Sequence, residues 1–281
     1  EKSGNEERPL IVFLSGSRAG FIRKDAIHGL VRSGYDILSL AYFGLKGLPQ
    51  NLEAVPFEYL DGAIKWAKIR FPDRKIVLMG VSKGAEYALS YASYLPNVDG
   101  LIAYGPSAIV IPNHVGVPEE QAYHSSWTYQ GQEVPFANIK RFDDPAGRIL
   151  YNKYINPILL DEKELNHAEI KMGAVDFPIM LLSGKNDLVW PAYKMSRLLE
   201  DQMSALEKSE LIKVIGYEDC GHQFLWFDEQ EPSSKDVATS QTIRLEAIKK
   251  HRFPFGGTKK GTINAMIQSR TAVLDFLASI D

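Results

Sequence analysis

Short apolar runs alternate with stretches of helical spacing along most of the chain. Leu10–Leu14, Tyr35–Ala41, Ile76–Met79, Gly100–Tyr104, Pro178–Ser183 and Leu211–Tyr217 read as strands: each is a brief hydrophobic run, and several stop at glycine or serine. Between and after them, Lys24–Ser33, Phe57–Arg70, Lys83–Leu95, Ala192–Ala205 and Ile263–Ile280 read as helices. In Phe57–Arg70 the spacing of Leu60, Ile64, Ala67 and Ile69 predicts the buried face. A strand covered by helices on both sides loses its polar positions and becomes a continuous apolar run. The alternation therefore predicts an α/β architecture in one domain, 1–281: a mostly parallel, doubly wound sheet with helices on both faces.

Two segments break the alternation. Residues 113–177 are rich in Gly, Pro, Asn and aromatic residues, and residues 223–255 are polar and carry Pro232 and Pro254. Both read as insertions at the edge of the sheet. Long loops in a compact domain usually act as lids or shape a substrate site, which is the expectation here.

The sharpest chemical signal is Gly80-Val81-Ser82-Lys83-Gly84, set between a predicted strand and a predicted helix. A nucleophile on such an elbow needs small residues on either side, because a Cβ there would strike the neighbouring strand and helix. Ser82 is thus the candidate nucleophile. Such an elbow makes an α/β-hydrolase fold the expectation, and there a serine hydroxyl needs a base and the base an orienting acid, in the chain order Ser, Asp, His. Asp187, just past the strand Pro178–Ser183, is the candidate acid, and His222, after Leu211–Tyr217, the candidate base. Glu218 and Asp219 compete as acids but sit on the base's own loop. Of the other histidines, His28 falls in a helix, His114, His124 and His167 in the first insertion, and His251 in a late loop.

Acyl transfer also needs two donors for the developing oxyanion. The amide of Lys83 is one candidate, and the amide of Ser17, in the turn after the first strand, is the other, with Arg18 as the alternative. Tyr42, Phe43, Trp190 and Phe224, the last followed by Leu225 and Trp226, come after predicted strands or the base and are candidates for lining an apolar acyl pocket. Lys249, Lys250 and Arg252, with Lys259 and Lys260, form a basic run that reads first as a solvated loop, and otherwise as a contact for a phosphorylated substrate.

Composition narrows the partners. With 281 residues, 45% hydrophobic and 24% charged, the chain reads as globular, and a net charge of -3 offers no general attraction for nucleic acid or anionic lipid. Cys220 is the single cysteine, which excludes an intrachain disulfide and a Cys-rich metal cluster and leaves the compartment open, with the cytoplasm as default. Residues 100–118 are uncharged, but Gly105-Pro106 and Pro112-Asn113 would break a helix before it crossed a bilayer, so no membrane span is expected. Neither a metal nor a cofactor is expected. The chain opens on Glu1 rather than Met, which leads us to expect that a targeting segment or a preceding domain was removed.

The stretch Ala41–Glu53, with Leu48-Pro49-Gln50-Asn51-Leu52-Glu53, the elbow extended to Ser82-Lys83-Gly84-Ala85-Glu86, and Gly256-Gly257 ahead of the last helix resemble a known family. It is the C-terminal catalytic domain of the acyl-CoA thioesterases and bile acid-CoA:amino acid N-acyltransferases, and the resemblance runs from about Leu10 to Ile280. It implies a Ser82, Asp187 and His222 triad, and serine in place of the acyltransferases' cysteine implies transfer to water. Members carry an N-terminal β-sandwich, whereas nine residues precede the first strand here, so leading strands of the hydrolase sheet are expected to be missing or trimmed. The expected function is hydrolysis of a small-molecule acyl ester or thioester. A carboxylesterase of the dienelactone hydrolase type and a catalytically silent binding protein on the same fold are the alternatives.

Overall fold

A computed structural model describes residues 7–22, 24–112, 124–139, 151–225, 227 and 255–280. In chain order the strands are β1 (Leu10–Leu14), β2 (Asp36–Leu40), β3 (Val55–Pro56), β4 (Ile76–Val81), β5 (Gly100–Tyr104), β6 (Trp127–Tyr129), β7 (Gln132–Glu133), β8 (Ile179–Gly184) and β9 (Ile212–Tyr217). The α-helices are α1 (Lys24–Arg32), α2 (Phe57–Arg70), α3 (Lys83–Tyr94), α4 (Tyr151–Ile158), α5 (Glu162–Ala168), α6 (Ala192–Ala205) and α7 (Lys259–Ala278). Six strands form one sheet in the order β2-β1-β4-β5-β8-β9, and every neighbouring pair is parallel. This is the predicted doubly wound α/β-hydrolase sheet.

Alternate residues of each strand feed two cores. Leu10, Val12 and Leu14 face α2, α3 and α6, while Ile11 and Phe13 face α1 and α7. Burying each such side chain stabilises the fold by about 1.5–3 kcal/mol, and Ser183 of the inner strand β8 is tolerated because its hydroxyl shares a hydrogen bond with that of Ser196 at 2.7 Å. The outer strands differ: β2 and β9 are partly exposed, because among the described residues each has a strand neighbour on one side only. Helix α2 departs from the predicted face at Ile69, which is 82% exposed. It lies about 200° round the helix from Ala67, so Phe57, Leu60, Ile64 and Ala67 make the buried stripe without it.

The chain enters at β1, moves outward to β2, then crosses back to β4 on the other side of β1. Loops after β1 and β4 therefore part in opposite directions and leave a crevice at the carboxyl ends, where open α/β sheets hold ligands. β5 and β8, the strands on either side of the segment 113–177, are neighbours inside the sheet, so this segment is inserted between two inner strands rather than at the edge expected from the sequence. Its strand β6 pairs with β3 and β7, and Trp127 stacks on Tyr87 of α3 at 4.5 Å. Residues 113–123, 140–150, 226 and 228–254 lie outside the described residues. Among the described residues, no helix is long and apolar enough to cross a membrane.

Candidate active site

Ser82 joins β4 to α3 at φ 56°, ψ -121°, a backbone conformation that L-residues seldom adopt. The flanking glycines make the turn possible. A Cβ on Gly80 would stand 2.3 Å from the Gly84 carbonyl oxygen, and one on Gly84 would stand 2.3 Å from that of Ser15. The Ser82 amide donates to Tyr104 O at 2.8 Å, which anchors the elbow to β5.

Strand register brings the other two candidates to the same rim. Val81 pairs with Tyr104, Tyr104 with Leu182, and Gly184 with Tyr217, so the loops that follow β4, β8 and β9 start level with one another. His222 Nε2 lies 2.8 Å from Ser82 Oγ, and His222 Nδ1 lies 2.6 Å from Asp187 Oδ2. Asp187 is fixed in turn: its Oδ1 accepts the amides of Val189 at 2.8 Å and Trp190 at 3.3 Å. Asp187 and His222 are each 6% exposed, so their contact is shielded from solvent. An imidazole held this way presents one nitrogen to the hydroxyl and the other to a carboxylate, the arrangement needed to accept and return the hydroxyl proton.

Several supports had no signal in strand or helix periodicity. The Trp190 indole packs edge-on against the imidazole at 5.1 Å, and its N–H donates to Gly105 O at 3.2 Å. Gly105 sits at φ 55°, and a Cβ there would approach His222 Cε1 to 3.1 Å. Asn152, from α4, donates to Asp187 O at 3.1 Å. Glu86, one turn beyond Ser82 on α3, is 0% exposed and pairs with the buried Lys83 side chain. Burial pushes the Glu86 carboxyl up and the Lys83 amine down, and their mutual contact opposes both shifts.

The remaining expectations separate. Lys83 opens α3, so its amide has no acceptor within the helix. The turn carrying Ser17 and Arg18 comes close to the nucleophile: a Cβ on Gly16 would stand 3.3 Å from Ser82 Cβ. Tyr42 is buried, and its hydroxyl donates to Ser15 O at 2.6 Å and Gly16 O at 3.3 Å, so it braces that turn. Phe43 is buried in the same core. Phe224 is buried in the core on the opposite sheet face, packed on Tyr104 at 5.2 Å and Tyr217 at 5.4 Å. Leu188, next to Asp187, is by contrast an exposed apolar side chain. A strand-end aromatic shows its position in sequence, not which way the ring turns.

Glu218 pairs with Lys185 on the surface, and Asp219 offers its carbonyl to Thr258 N. His28 is held by Arg32 and His124 by Glu133, and exposed His167 lies on α5. His114, Trp226, Lys249, Lys250, His251 and Arg252 lie outside the described residues; Lys259 and Lys260 open α7 and are exposed. A cavity of about 210 Å³ lined by Ser90, Val110, Pro135 and Ile170 lies about two turns of α3 from Ser82, remote from the reacting groups.

Residues 55–226 match the family model described as BAAT / Acyl-CoA thioester hydrolase C terminal. The chain belongs to that family. The matched stretch of the BAAT / acyl-CoA thioester hydrolase domain holds Ser82, Asp187 and His222, while Ser17 and Gly256 fall outside it. Acyl-coenzyme A thioesterase 6 of Mus musculus is 30% identical over 224 residues, covering 78% of this chain and 49% of the relative. Peroxisomal succinyl-coenzyme A thioesterase of Mus musculus is 25% identical over 219 residues, covering 76% and 48%. The chain thus spans about half the length of the curated relatives it matches. Among solved structures, a puromycin-hydrolyzing peptidase of Mycobacterium tuberculosis superposes with a TM-score of 0.50 at 14% identity, over 85% of this chain and 33% of the other, a likeness of fold. A monoacylglycerol lipase of Paleococcus ferrophilus gives 0.49 at 18% identity, over 89% and 98%.

Proposed function

We propose that this chain hydrolyses acyl thioesters, with an acyl-CoA as substrate, through an acyl-enzyme on Ser82. The continuous hydrogen-bonded path from Ser82 Oγ through His222 to Asp187 carries the reading. Membership of the family supports it, as do relatives whose names specify acyl-CoA or succinyl-CoA thioesterases.

In the proposed reaction Ser82 Oγ attacks the acyl carbonyl carbon as its proton passes to His222 Nε2, and Asp187 stabilises the imidazolium. The carbonyl oxygen becomes an oxyanion that meets the amides of Lys83 and Ser17, or of Arg18 in place of Ser17. The carbon–sulfur bond then breaks, and the departing sulfur takes the proton from Nε2. Water attacks the acyl-enzyme, giving its proton to His222, and the carboxylic acid leaves as Ser82 recovers its hydrogen. With a thiol pKa of about 8.5, the leaving group needs less acid assistance than an alcohol.

The test measures thiol release from acyl-CoA donors of graded chain length beside hydrolysis of short aryl esters, with a fluorophosphonate as active-serine probe. Acyl-CoA turnover and an adduct on Ser82, both absent in Ser82→Ala, are expected. Ester turnover alone would replace the thioesterase reading with a carboxylesterase. No turnover and no adduct in folded protein would leave a binding protein.

A further inference from the structure

Beyond the three residues in the proton path, a dense buried polar cluster borders the nucleophile. Glu86 Oε1 accepts from Lys83 Nζ at 2.6 Å, Trp127 Nε1 at 2.9 Å and Ile111 N at 3.1 Å. Lys83 Nζ also donates to Ile111 O at 2.7 Å, which accepts Ser126 Oγ at 2.9 Å, and the ammonium lies 4.9 Å from the Trp127 ring centre. Glu86 Oε2, also buried, has no hydrogen-bond partner among the described residues. The cluster ties two chain segments together at the residue directly after Ser82.

Stability does not account for charges in this place. A buried ion pair loses more on leaving water than a well-packed apolar pair of the same volume, and an unpartnered carboxylate oxygen adds to that loss. What the charges supply, and apolar groups do not, is direction: three donors on one oxygen and two acceptors on one ammonium admit a single geometry. The same cluster reaches the other side of the site. Trp127 stacks on Tyr87, and Tyr87 lies 4.9 Å from Tyr42, which holds the turn carrying Ser17.

We propose that Glu86 and Trp127 are positioning residues that, through the Lys83 side chain, aim the Lys83 amide at the reacting carbonyl oxygen and hold the segment around Ile111 and Trp127 against the nucleophile helix. The inference rests on the hydrolase reading above. Glu86 and Trp127 are both buried and bonded to one another, so loosening the cluster lowers kcat and leaves KM nearly unchanged.

The experiment compares the wild type with Lys83→Met/Glu86→Leu, Glu86→Gln and Trp127→Phe, reading kcat, KM, the rate of Ser82 phosphonylation by a fluorophosphonate, and the melting temperature. The double variant replaces the charges by apolar volume but leaves the Trp127 indole N–H and the Ile111 amide without their acceptor, so it is expected to fold and to melt somewhat below wild type. Its kcat and phosphonylation rate are expected to fall by about ten-fold or more, with KM within about three-fold, because a misplaced donor costs up to about a hundred-fold in rate. Glu86→Gln, which keeps the acceptor oxygen, is expected to retain more activity than the double variant. Trp127→Phe removes the N–H donor together with part of the ring that Tyr87 stacks on, and a kcat about three-fold lower is expected.

A folded double variant whose kcat lies within about two-fold of wild type would overturn the inference. If the double variant does not fold, an unchanged kcat in Trp127→Phe overturns it instead. Wild type that takes up no probe would overturn the hydrolase reading and this inference together, whereas labelled wild type with unchanged variants overturns this inference alone.

Discussion

Gly256 and Asp187 form an isolated antiparallel bridge, and the next residue, Gly257, forms another with Cys220, two positions before His222. The His222 amide completes the arrangement by donating to Phe255 O at 2.9 Å. One short stretch ahead of α7 thus grips the acid loop on one side and the base loop on the other, which sets the spacing of Asp187 and His222. Only glycine fits: both residues sit at positive φ, and a Cβ on Gly256 would stand 1.8 Å from Asn186 O.

Gly256→Ala is accordingly expected to move the acid loop. Turnover should fall by about a hundred-fold, the scale of a displacement near 1 Å in a catalytic group, with a lower melting temperature. Steady-state kinetics and circular dichroism check both. Unchanged turnover would deny the clamp its role in spacing the two loops.

What could be read from the sequence follows from how each feature is encoded. Burial on both faces writes the inner strands as unbroken apolar runs, so β1, β4, β5 and β8 were visible with small boundary shifts, and the elbow glycines marked Ser82 through local sterics. Strand ends then pointed to Asp187 and His222. Contacts between distant residues left no periodic trace: Trp127 lies 41 positions from Glu86, and the direction of the Tyr42 and Phe224 rings depends on neighbours that only the fold supplies. Ile69 misled for a related reason, since an apolar residue on an exposed helix face looks the same in sequence as a buried one.

The strained backbone at Ser82 gives a stability prediction separable from activity. A residue held in such a region carries about 1–3 kcal/mol of strain, and glycine relieves it. Glycine also loses about 0.5–1 kcal/mol more entropy than alanine on folding, so strain relief is the larger effect. Ser82→Gly and Ser82→Ala should both be inactive, with Ser82→Gly more stable by about 1 kcal/mol in urea denaturation. Equal midpoints would mean that the elbow stores no strain at this residue.

Tyr42 offers a test of bracing against substrate lining. Burial, reinforced by the Glu86 charge, pushes its phenol well above the usual value, so the hydroxyl keeps its proton and donates to Ser15 O and Gly16 O. Tyr42→Phe preserves the ring contacts with Tyr87 and Trp127 and deletes only that donor. We expect a stability loss of about 1 kcal/mol. A several-fold fall in kcat at constant KM should accompany it, because the turn carrying Ser17 loosens. A changed KM with constant kcat would return Tyr42 to the substrate pocket.

Away from the site, Asp61 of α2 gives the fold a pH dependence whose sign follows from its partners. Burial alone would raise its carboxyl, but Lys65 at 2.6 Å, Asn97 Nδ2 at 2.8 Å and Tyr91 OH at 3.1 Å favour the charged form and together bring it below the ordinary value of 3.8. A carboxyl with a lower pKa folded than unfolded adds stability above its unfolded value, and this is lost as pH falls through the folded one. Urea denaturation of wild type and Asp61→Asn should therefore differ most near neutral pH and converge in acid below 3.8. Added salt should shrink the difference only slightly, since Asn97 and Tyr91 are neutral and Lys65 is largely in solvent. A gap that stays constant into acid would mean that these contacts hold the protonated carboxyl as well as the carboxylate.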